Sequence, residues 1–125
     1  MYTGQSPHVD AKLISFGLIE IDGRRFDRDI VLEAGKVRPR KKKPSKAYRD
    51  RYGHTPLSAD EEIPWSASRL IVGTGAGGQL PIMAEVFQEA QRRGVQVVAV
   101  PTEEACRLLS GLGSREVAAV IHVTC

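Results

Sequence analysis

Three short apolar runs, separated by two segments of helical periodicity, constrain the fold of this chain more than any other feature. The runs lie at residues 69–73 (RLIVG), 95–100 (VQVVAV) and 117–123 (VAAVIHV). Continuous runs of this length are typical of strands buried on both faces. In the two segments between them, residues 81–94 and 102–112, apolar residues recur at helical spacing. The pattern therefore predicts a β-α-β-α-β unit, with parallel strands joined by short loops and right-handed crossovers.

The sequence also indicates where the two helices begin and end. Pro81 suits the first helical position and Gly94 suits the residue just past the helix end. Thr102 is predicted to cap the second helix, with Glu103 and Glu104 in the first turn, where the helix dipole favours acids.

The N-terminal half contains shorter strand signals. Residues 13–21 are apolar, and the Asp22-Gly23 pair that follows predicts a hairpin, because both turn positions need positive φ. A short strand is expected at residues 28–32, and a further strand from Val37 is confined to a sheet edge by Pro39. Ser58 and Glu61 have the capping-box spacing, which predicts one or two helical turns before Pro64.

Size and composition indicate one soluble domain. The chain has 125 residues, 42% of them hydrophobic and 26% charged, which is ordinary for a globular protein. We expect a loose N-terminal arm at residues 1–12 and an α/β domain at residues 13–125. No apolar run approaches the roughly 20 residues that cross a bilayer, and no signal peptide is visible. A cytoplasmic protein without a membrane partner is expected, and its two cysteines form no C-x-x-C pair.

The net charge of +3 conceals a strongly basic segment. Residues 36–51 hold nine of the 18 Lys and Arg residues and one of the 15 acids, which gives +8 and leaves −5 for the rest of the chain. We place residues 36–54 on the surface, since they contain few large apolar side chains. The predicted partner-binding residues are Arg40, Lys41, Lys42, Lys43, Lys46, Tyr48, Arg49 and Tyr52.

The loop after the first apolar run satisfies G-x-G-x-x-G, the fingerprint of dinucleotide-binding folds. Its context argues against that cofactor. Pro81 starts the helix late, residues 93–100 contain no acid for a ribose, and only one β-α-β-α-β unit is present. We predict no cofactor and interpret the loop as a tight junction of strand and helix, with a small-anion site as the alternative. The residues of that site would be Gly73, Thr74, Gly75, Gly77, Gly78 and Thr102.

His122 and Cys125 suggest a thiol–imidazole pair. On a continuing strand the two side chains would point to opposite faces, so we favour a half-buried histidine and a cysteine that packs as a small hydrophobe. Cys106, early in the second helix, is expected to be buried as well. His8, His54 and His122 have no ligand spacing to a Cys or to one another, so no metal site is predicted.

Five segments in this order and spacing resemble a known family. They are FDRDIVL (26–32), YGHTPLS (52–58), LIVGTGAGGQLPI (70–82), RRGVQVVAVPTEEA (92–105) and VIHVTC (120–125). The sequence is similar to the small α/β domain family of unknown function whose members include a mitochondrial complex I assembly factor and an adipogenesis-associated protein. The resemblance implies a three-layer fold with a central mixed β-sheet, and it implies no established enzymatic activity. The strongly basic RPRKKKPSK run is a departure from the family.

Two classes of function follow, with a third alternative. The first is a non-catalytic binding or assembly module that takes a small anion or an acidic protein partner through the basic segment and a cleft beside the glycine loop. The second is an enzyme acting on a phosphorylated or carboxylated small molecule, with His54 as acid or base. The third is nucleic-acid binding, which the acidic body and the lack of a recognised nucleic-acid fold oppose.

Overall fold

The computed structural model describes residues 9–112 and 117–125. These residues form eight strands, two α-helices of nine or more residues, a short α-helix and a 3₁₀ helix. The strands are β1 (Ala11–Ser15), β2 (Leu18–Ile21), β3 (Arg24–Phe26), β4 (Ile30–Glu33), β5 (Lys36–Pro39), β6 (Arg69–Thr74), β7 (Gln96–Val100) and β8 (Val117–His122). The helices are the 3₁₀ helix Lys43–Tyr48, α1 (Arg49–Tyr52), α2 (Ala84–Arg93) and α3 (Thr102–Ser110).

A five-stranded mixed sheet forms the centre of the fold, in the order β5-β4-β8-β6-β7. Strands β7, β6 and β8 are parallel, whereas β4 runs antiparallel to both β8 and β5. The predicted β-α-β-α-β unit and the mixed sheet are therefore confirmed. Strand β5 lies at one edge and ends at Pro39, where the missing amide donor breaks no ladder.

Two hydrophobic cores, one on each face of this sheet, produce three layers. Ile71 and Ile121 point to the face covered by α3 and the N-terminal strands, where they meet Leu109 and Ile19. Residues that alternate with them, such as Leu70, point to the opposite face, which is covered by α2 and the segment around Leu57 and Ile63. Alternation along strands buried on both sides explains why their sequences are apolar throughout.

The N-terminal strands form a separate antiparallel sheet, β1-β2-β3, rather than one hairpin. A turn at Phe16–Gly17, with Gly17 at φ +82, divides the apolar run 13–21 into two strands. The predicted turn at Asp22-Gly23 is confirmed, since both residues have positive φ, 50° and 85°. Residues 1–8 of the expected arm lie outside the described residues, and Ala11 and Lys12 belong to β1.

The first long helix begins later than predicted. Residues 81–83 pair with Leu57: the Leu57 amide donates to the Pro81 carbonyl over 2.9 Å, and the Met83 amide donates to the Leu57 carbonyl over 3.0 Å. This extended pairing delays α2 to Ala84 and corrects the placement of Pro81 at the first helical position. Gly94 ends the helix in the left-handed conformation, as predicted.

Two predicted helix starts are wrong for the same reason. The side chains that were predicted to cap the helices form hydrogen bonds with residues distant in the sequence instead. Thr102 is the first residue of α3 rather than its cap, and its hydroxyl bridges the Gly75 amide and the His122 carbonyl. No helix forms at Ser58–Glu61, where a turn is found. There the Ser58 hydroxyl contacts Ser45 and the Glu61 carboxylate pairs with Arg40.

Within the described ranges, no helix is both long enough and apolar enough to cross a membrane.

Candidate functional site

Several strands begin or finish at the same end of the mixed sheet, where the carboxyl ends of its parallel strands lie. Strands β5, β8 and β6 finish there, and the antiparallel β4 starts there. Asp29 precedes β4, Arg40 follows β5, and His122 is the last residue of β8. In open α/β sheets, ligands bind at the carboxyl ends of the strands, and the cleft predicted beside the glycine loop would lie at this end of the sheet.

Arg40 is the centre of a buried ionic cluster. Its side chain is 1% exposed. One guanidinium nitrogen donates to Asp29 Oδ2 over 2.9 Å, and two donate to the oxygens of Glu61 over 2.8 Å each. Burial opposes the charge, yet Glu61 and Asp29 together hold the pKa of Arg40 above its ordinary value. The expectation that Arg40 is a surface charge is therefore wrong.

The cluster fixes the basic segment to the domain. The Ser45 hydroxyl donates to Glu61 Oε2 and lies 2.6 Å from the Ser58 hydroxyl, and all three residues are buried. Ser45 lies within the 3₁₀ helix. The segment is thus an ordered part of the fold whose lysines project from a buried anchor.

Asp29 also orients His122. Its Oδ2 lies 2.8 Å from His122 Nδ1, and its Oδ1 accepts from the Val123 amide over 3.0 Å. Burial alone would raise the pKa of Asp29, but His122, the Val123 amide and Arg40 hold it below its ordinary value. An ionised carboxylate only accepts hydrogen bonds, so Nδ1 carries a hydrogen; in the neutral imidazole Nε2 is then an acceptor. The hydroxyl of Thr124 lies 3.3 Å from this Nε2.

A cavity of about 390 Å³ lies beside this group, and we call it the basic cavity. Its lining includes Lys42, Lys46, Arg49, His54, His122, Thr124 and Cys125. A second hollow, of about 440 Å³, shares Arg40, Lys42 and Thr124 with it. The structure thereby joins the basic segment to the last residues of the chain, which the sequence analysis treated as separate candidates.

His122 and Cys125 line the same cavity, contrary to the alternation argument. Strand β8 ends at His122, so the strict alternation of faces stops there. His122 is half-buried, as expected, but Cys125 is exposed and does not pack as a small hydrophobe. The thiol–imidazole pair stays a hypothesis.

The predicted partner-binding residues divide into two groups. Lys42, Lys46 and Arg49 line the basic cavity, whereas Lys41 and Lys43 are exposed outside it. Tyr48 donates from its hydroxyl to Asp60 over 2.7 Å, which raises the pKa of the phenol. Tyr52 is half-buried beneath the guanidinium of Arg51. Protein partners of this surface stay a prediction.

The glycine loop after β6 has a structural role in the fold. The amides of Gly75, Ala76, Gly78 and Gln79 already donate to acceptors within the chain, at distances of 2.6–3.1 Å. A Cβ on Gly75 would lie 2.3 Å from the Cys125 carbonyl carbon, so the loop needs glycine where the last residues cross it. The predicted anion site at Gly73, Thr74, Gly75, Gly77, Gly78 and Thr102 stays untested, and these bonds would compete with an anion there.

Cys106 is buried in α3, as expected. Burial raises the pKa of its thiol to about 11, so it is an inert core residue at neutral pH. Among the residues that the structure describes, no group of three or more His, Cys, Asp and Glu side chains could hold a metal ion.

Sequence reasoning missed Asp29, Glu61 and Thr124 as members of the site, and it placed Arg40 at the surface, whereas its side chain is buried. The available signal was position: Asp29 and Arg40 stand directly at the ends of short strands. Side chains at strand ends that share one edge of a sheet converge. Their convergence depends on the order of β5, β4 and β8, which the sequence analysis did not predict.

The fold and site place the chain among known proteins. Residues 12–122 match the family described as a protein of unknown function (DUF498/DUF598), and the chain belongs to this family. No protein in the curated comparison matches it.

Solved structures agree with that assignment. A conserved hypothetical protein from Pyrococcus horikoshii is 33% identical with a TM-score of 0.76, and the match covers 92% of this chain and 98% of that one. A structure named MT938 is 28% identical with a TM-score of 0.70, over 94% and 99% of the two chains. A Bordetella pertussis protein described as an Mth938-like domain shares the fold, at 19% identity and a TM-score of 0.53 over 98% and 92%.

Proposed function

We propose that the protein is a binding module for small anionic molecules that carry a phosphate or carboxylate group, and that the basic cavity is its binding site. The observation that carries the proposal is the convergence of Lys42, Lys46, Arg49, His54 and His122 on one cavity of about 390 Å³. Ligand sites of small molecules have volumes of this order.

The arrangement of the cations supports a cavity rather than a flat charged surface. The Arg40–Asp29–Glu61 cluster is internally paired, so it anchors the segment without contributing a free cation. Lys42 and Lys46, in contrast, lie before and after the buried Ser45 along the chain. Neither lysine forms an ion pair in the described ranges. An anion would therefore meet unpaired positive charges on an ordered frame, which lowers the entropy loss on binding.

Titration with inorganic phosphate and pyrophosphate, followed by amide NMR, tests this proposal. We expect the amide signals of Gly53, His54, Thr124 and Cys125 to shift at millimolar ligand. Replacing both Lys46 and Arg49 with alanine should weaken binding by about tenfold or more, since charge-assisted hydrogen bonds are worth about 1.5–3 kcal/mol.

The matched control removes two charges that lie outside the cavity. Lys41→Ala combined with Lys43→Ala changes the net charge by the same amount but leaves the cavity lining intact. Equal weakening by both double variants would mean that the phosphate responds to overall charge and would contradict the proposal, as would unmoved signals around the cavity.

A second candidate is an assembly module that binds an acidic protein partner. It is supported by the exposed Lys41 and Lys43 outside the cavity and by the resemblance to a family that includes a mitochondrial complex I assembly factor. Capture of an acidic partner that the Lys41→Ala and Lys43→Ala pair abolishes, with phosphate binding unchanged, would favour this candidate.

A further inference from the structure

We propose that Asp29, His122 and Thr124 form a catalytic relay that hydrolyses esters of anionic small molecules bound in the basic cavity. The inference rests on the proposed function, because the cavity supplies the anion site. It assigns the nucleophile to Thr124 and the base to His122, whereas the sequence analysis considered His54 for acid–base chemistry.

The geometry fits a nucleophile, a base and an orienting acid. Thr124 Oγ1 lies 3.3 Å from His122 Nε2, and His122 Nδ1 lies 2.8 Å from Asp29 Oδ2. A hydroxyl within reach of an imidazole that a buried carboxylate orients is the signature of an activated nucleophile, and such contacts are often long without substrate. His54 lines the same cavity but is exposed and forms no hydrogen bond in the part of the chain described.

The buried cluster places the Asp29 carboxylate against the imidazole of His122. Asp29 and Glu61 are two carboxylates, and Arg40 is the single guanidinium between them. The cluster therefore has one negative charge in excess while His122 is neutral. A proton taken from Thr124 would neutralise this excess through the Asp29 contact, which stabilises the imidazolium that forms during the reaction.

The surroundings of Thr124 leave room for both halves of an ester. Thr124 lines the basic cavity and also the second hollow, so it stands where the two meet. The backbone amides of Thr124 and Cys125 donate no hydrogen bond to any residue in the described ranges. The amides of a nucleophile and of the residue after it are common oxyanion donors.

The reaction has two balanced steps. Thr124 Oγ1 attacks the ester carbonyl carbon and its proton passes to His122 Nε2; the bond to the alcohol oxygen then breaks, and that oxygen takes the proton. A water molecule next gives its proton to His122 Nε2 and attacks the acyl carbon; the bond to Oγ1 breaks, and the proton returns to Thr124. The net change is ester and water to carboxylic acid and alcohol.

The test uses the full chain with mono-4-nitrophenyl terephthalate, whose ring holds the second carboxylate away from the ester, and with 4-nitrophenyl benzoate as the matched ester without that carboxylate. After subtraction of the rate without protein, we expect faster hydrolysis of the terephthalate ester and a 4-carboxybenzoyl group that mass spectrometry maps to Thr124. Thr124→Val and His122→Gln should each lower kcat by about a hundredfold or more, whereas Lys12→Ala, at an exposed position of β1, should leave the rate unchanged. Asp29→Asn should lower kcat with KM nearly constant, as expected of a positioning residue.

The outcomes separate this inference from the proposed function. Phosphate binding without hydrolysis above the His122→Gln rate would overturn the relay and leave the binding module intact. Equal hydrolysis of both esters through Thr124, with no phosphate binding, would overturn the anion site and with it the preference for anionic esters. A 4-carboxybenzoyl group on Cys125, or on a lysine, together with unchanged hydrolysis by Thr124→Val, would overturn the relay. Phosphate binding and circular dichroism of each variant establish that it is folded.

Discussion

At the scale of single residues, Arg40 shows how a buried charge is tolerated. Its guanidinium is satisfied by two carboxylates and the Pro56 carbonyl, all within 3.0 Å. Desolvation of these groups is expensive, and close pairing offsets it. Such a cluster is sensitive to the removal of one member, because a carboxylate left unpaired in a buried position is strongly unfavourable.

We expect Arg40→Ala to lower the free energy of unfolding by about 3–5 kcal/mol, since it leaves Asp29 and Glu61 buried without their cation. Urea denaturation measures the change. Lys41→Ala, the neighbouring exposed residue, is the control and should alter stability by less than about 0.5 kcal/mol. A similar small effect for both variants would show that the cluster adds no stability.

The lowered pKa of Asp29 predicts how the free energy of unfolding depends on pH. Because its pKa in the folded state lies below the ordinary value of 3.8, its ionised form contributes stability that is fully present above that value. The contribution is lost as the pH falls through the lower folded pKa. Urea midpoints measured from about pH 6 to pH 2 should fall less steeply for Asp29→Asn than for the parent chain. Parallel curves would mean that Asp29 has the same pKa folded and unfolded.

At the scale of elements, the conformation of the junction between β6 and α2 depends on Thr124 and Cys125, whose backbone lies against it. Gly75 has φ +108 and lies against the backbone of Thr124 and Cys125. The Gly94 cap of α2 also has positive φ, 70°, but an added Cβ would meet nothing within 4 Å. Replacing each glycine with alanine therefore separates the cost of a left-handed backbone from the cost of a clash with neighbouring atoms.

Gly94→Ala should cost about 1 kcal/mol, the ordinary penalty of a left-handed alanine. Gly75→Ala should cost distinctly more, about 3 kcal/mol or above, because the new methyl group would overlap backbone atoms of Thr124 and Cys125, which would have to shift. Thermal or urea unfolding of both variants gives the comparison. Equal losses would indicate that the last residues shift away from the loop at little cost.

At the scale of the whole molecule, the central sheet divides the interior into two cores that share the strands β8 and β6. Cys106 belongs to the core beneath α3, and Cys125 lies at the edge of the sheet, in the lining of the basic cavity. The two thiols therefore report on different processes. One responds to opening of the folded molecule and the other to solvent at the candidate site.

Iodoacetamide at neutral pH should modify Cys125 in the native protein and leave Cys106 unmodified, because burial raises the pKa of the Cys106 thiol to about 11. Mass spectrometry of peptides locates the label. In increasing urea, modification of Cys106 should follow the global unfolding transition. Rapid labelling of Cys106 without denaturant would show that α3 opens independently of the sheet.

The sequence by itself determined the local features of this protein. Apolar runs and helical spacing predicted β6, α2, β7, α3 and β8, and Asp22-Gly23 predicted a turn, because these signals act over a few neighbouring residues. The same reasoning misplaced Pro81 and Ser58, whose local signals were overridden by contacts with distant residues.

Only the tertiary structure decided the candidate site. His122 and Asp29 are 93 positions apart, and Arg40 joins Glu61 across 21 positions. Their meeting depends on β4 lying between β5 and β8, which is set by the pairing and packing of whole strands. The sequence predicted a ligand at the carboxyl ends of the strands, and the strand order determined which side chains lie there.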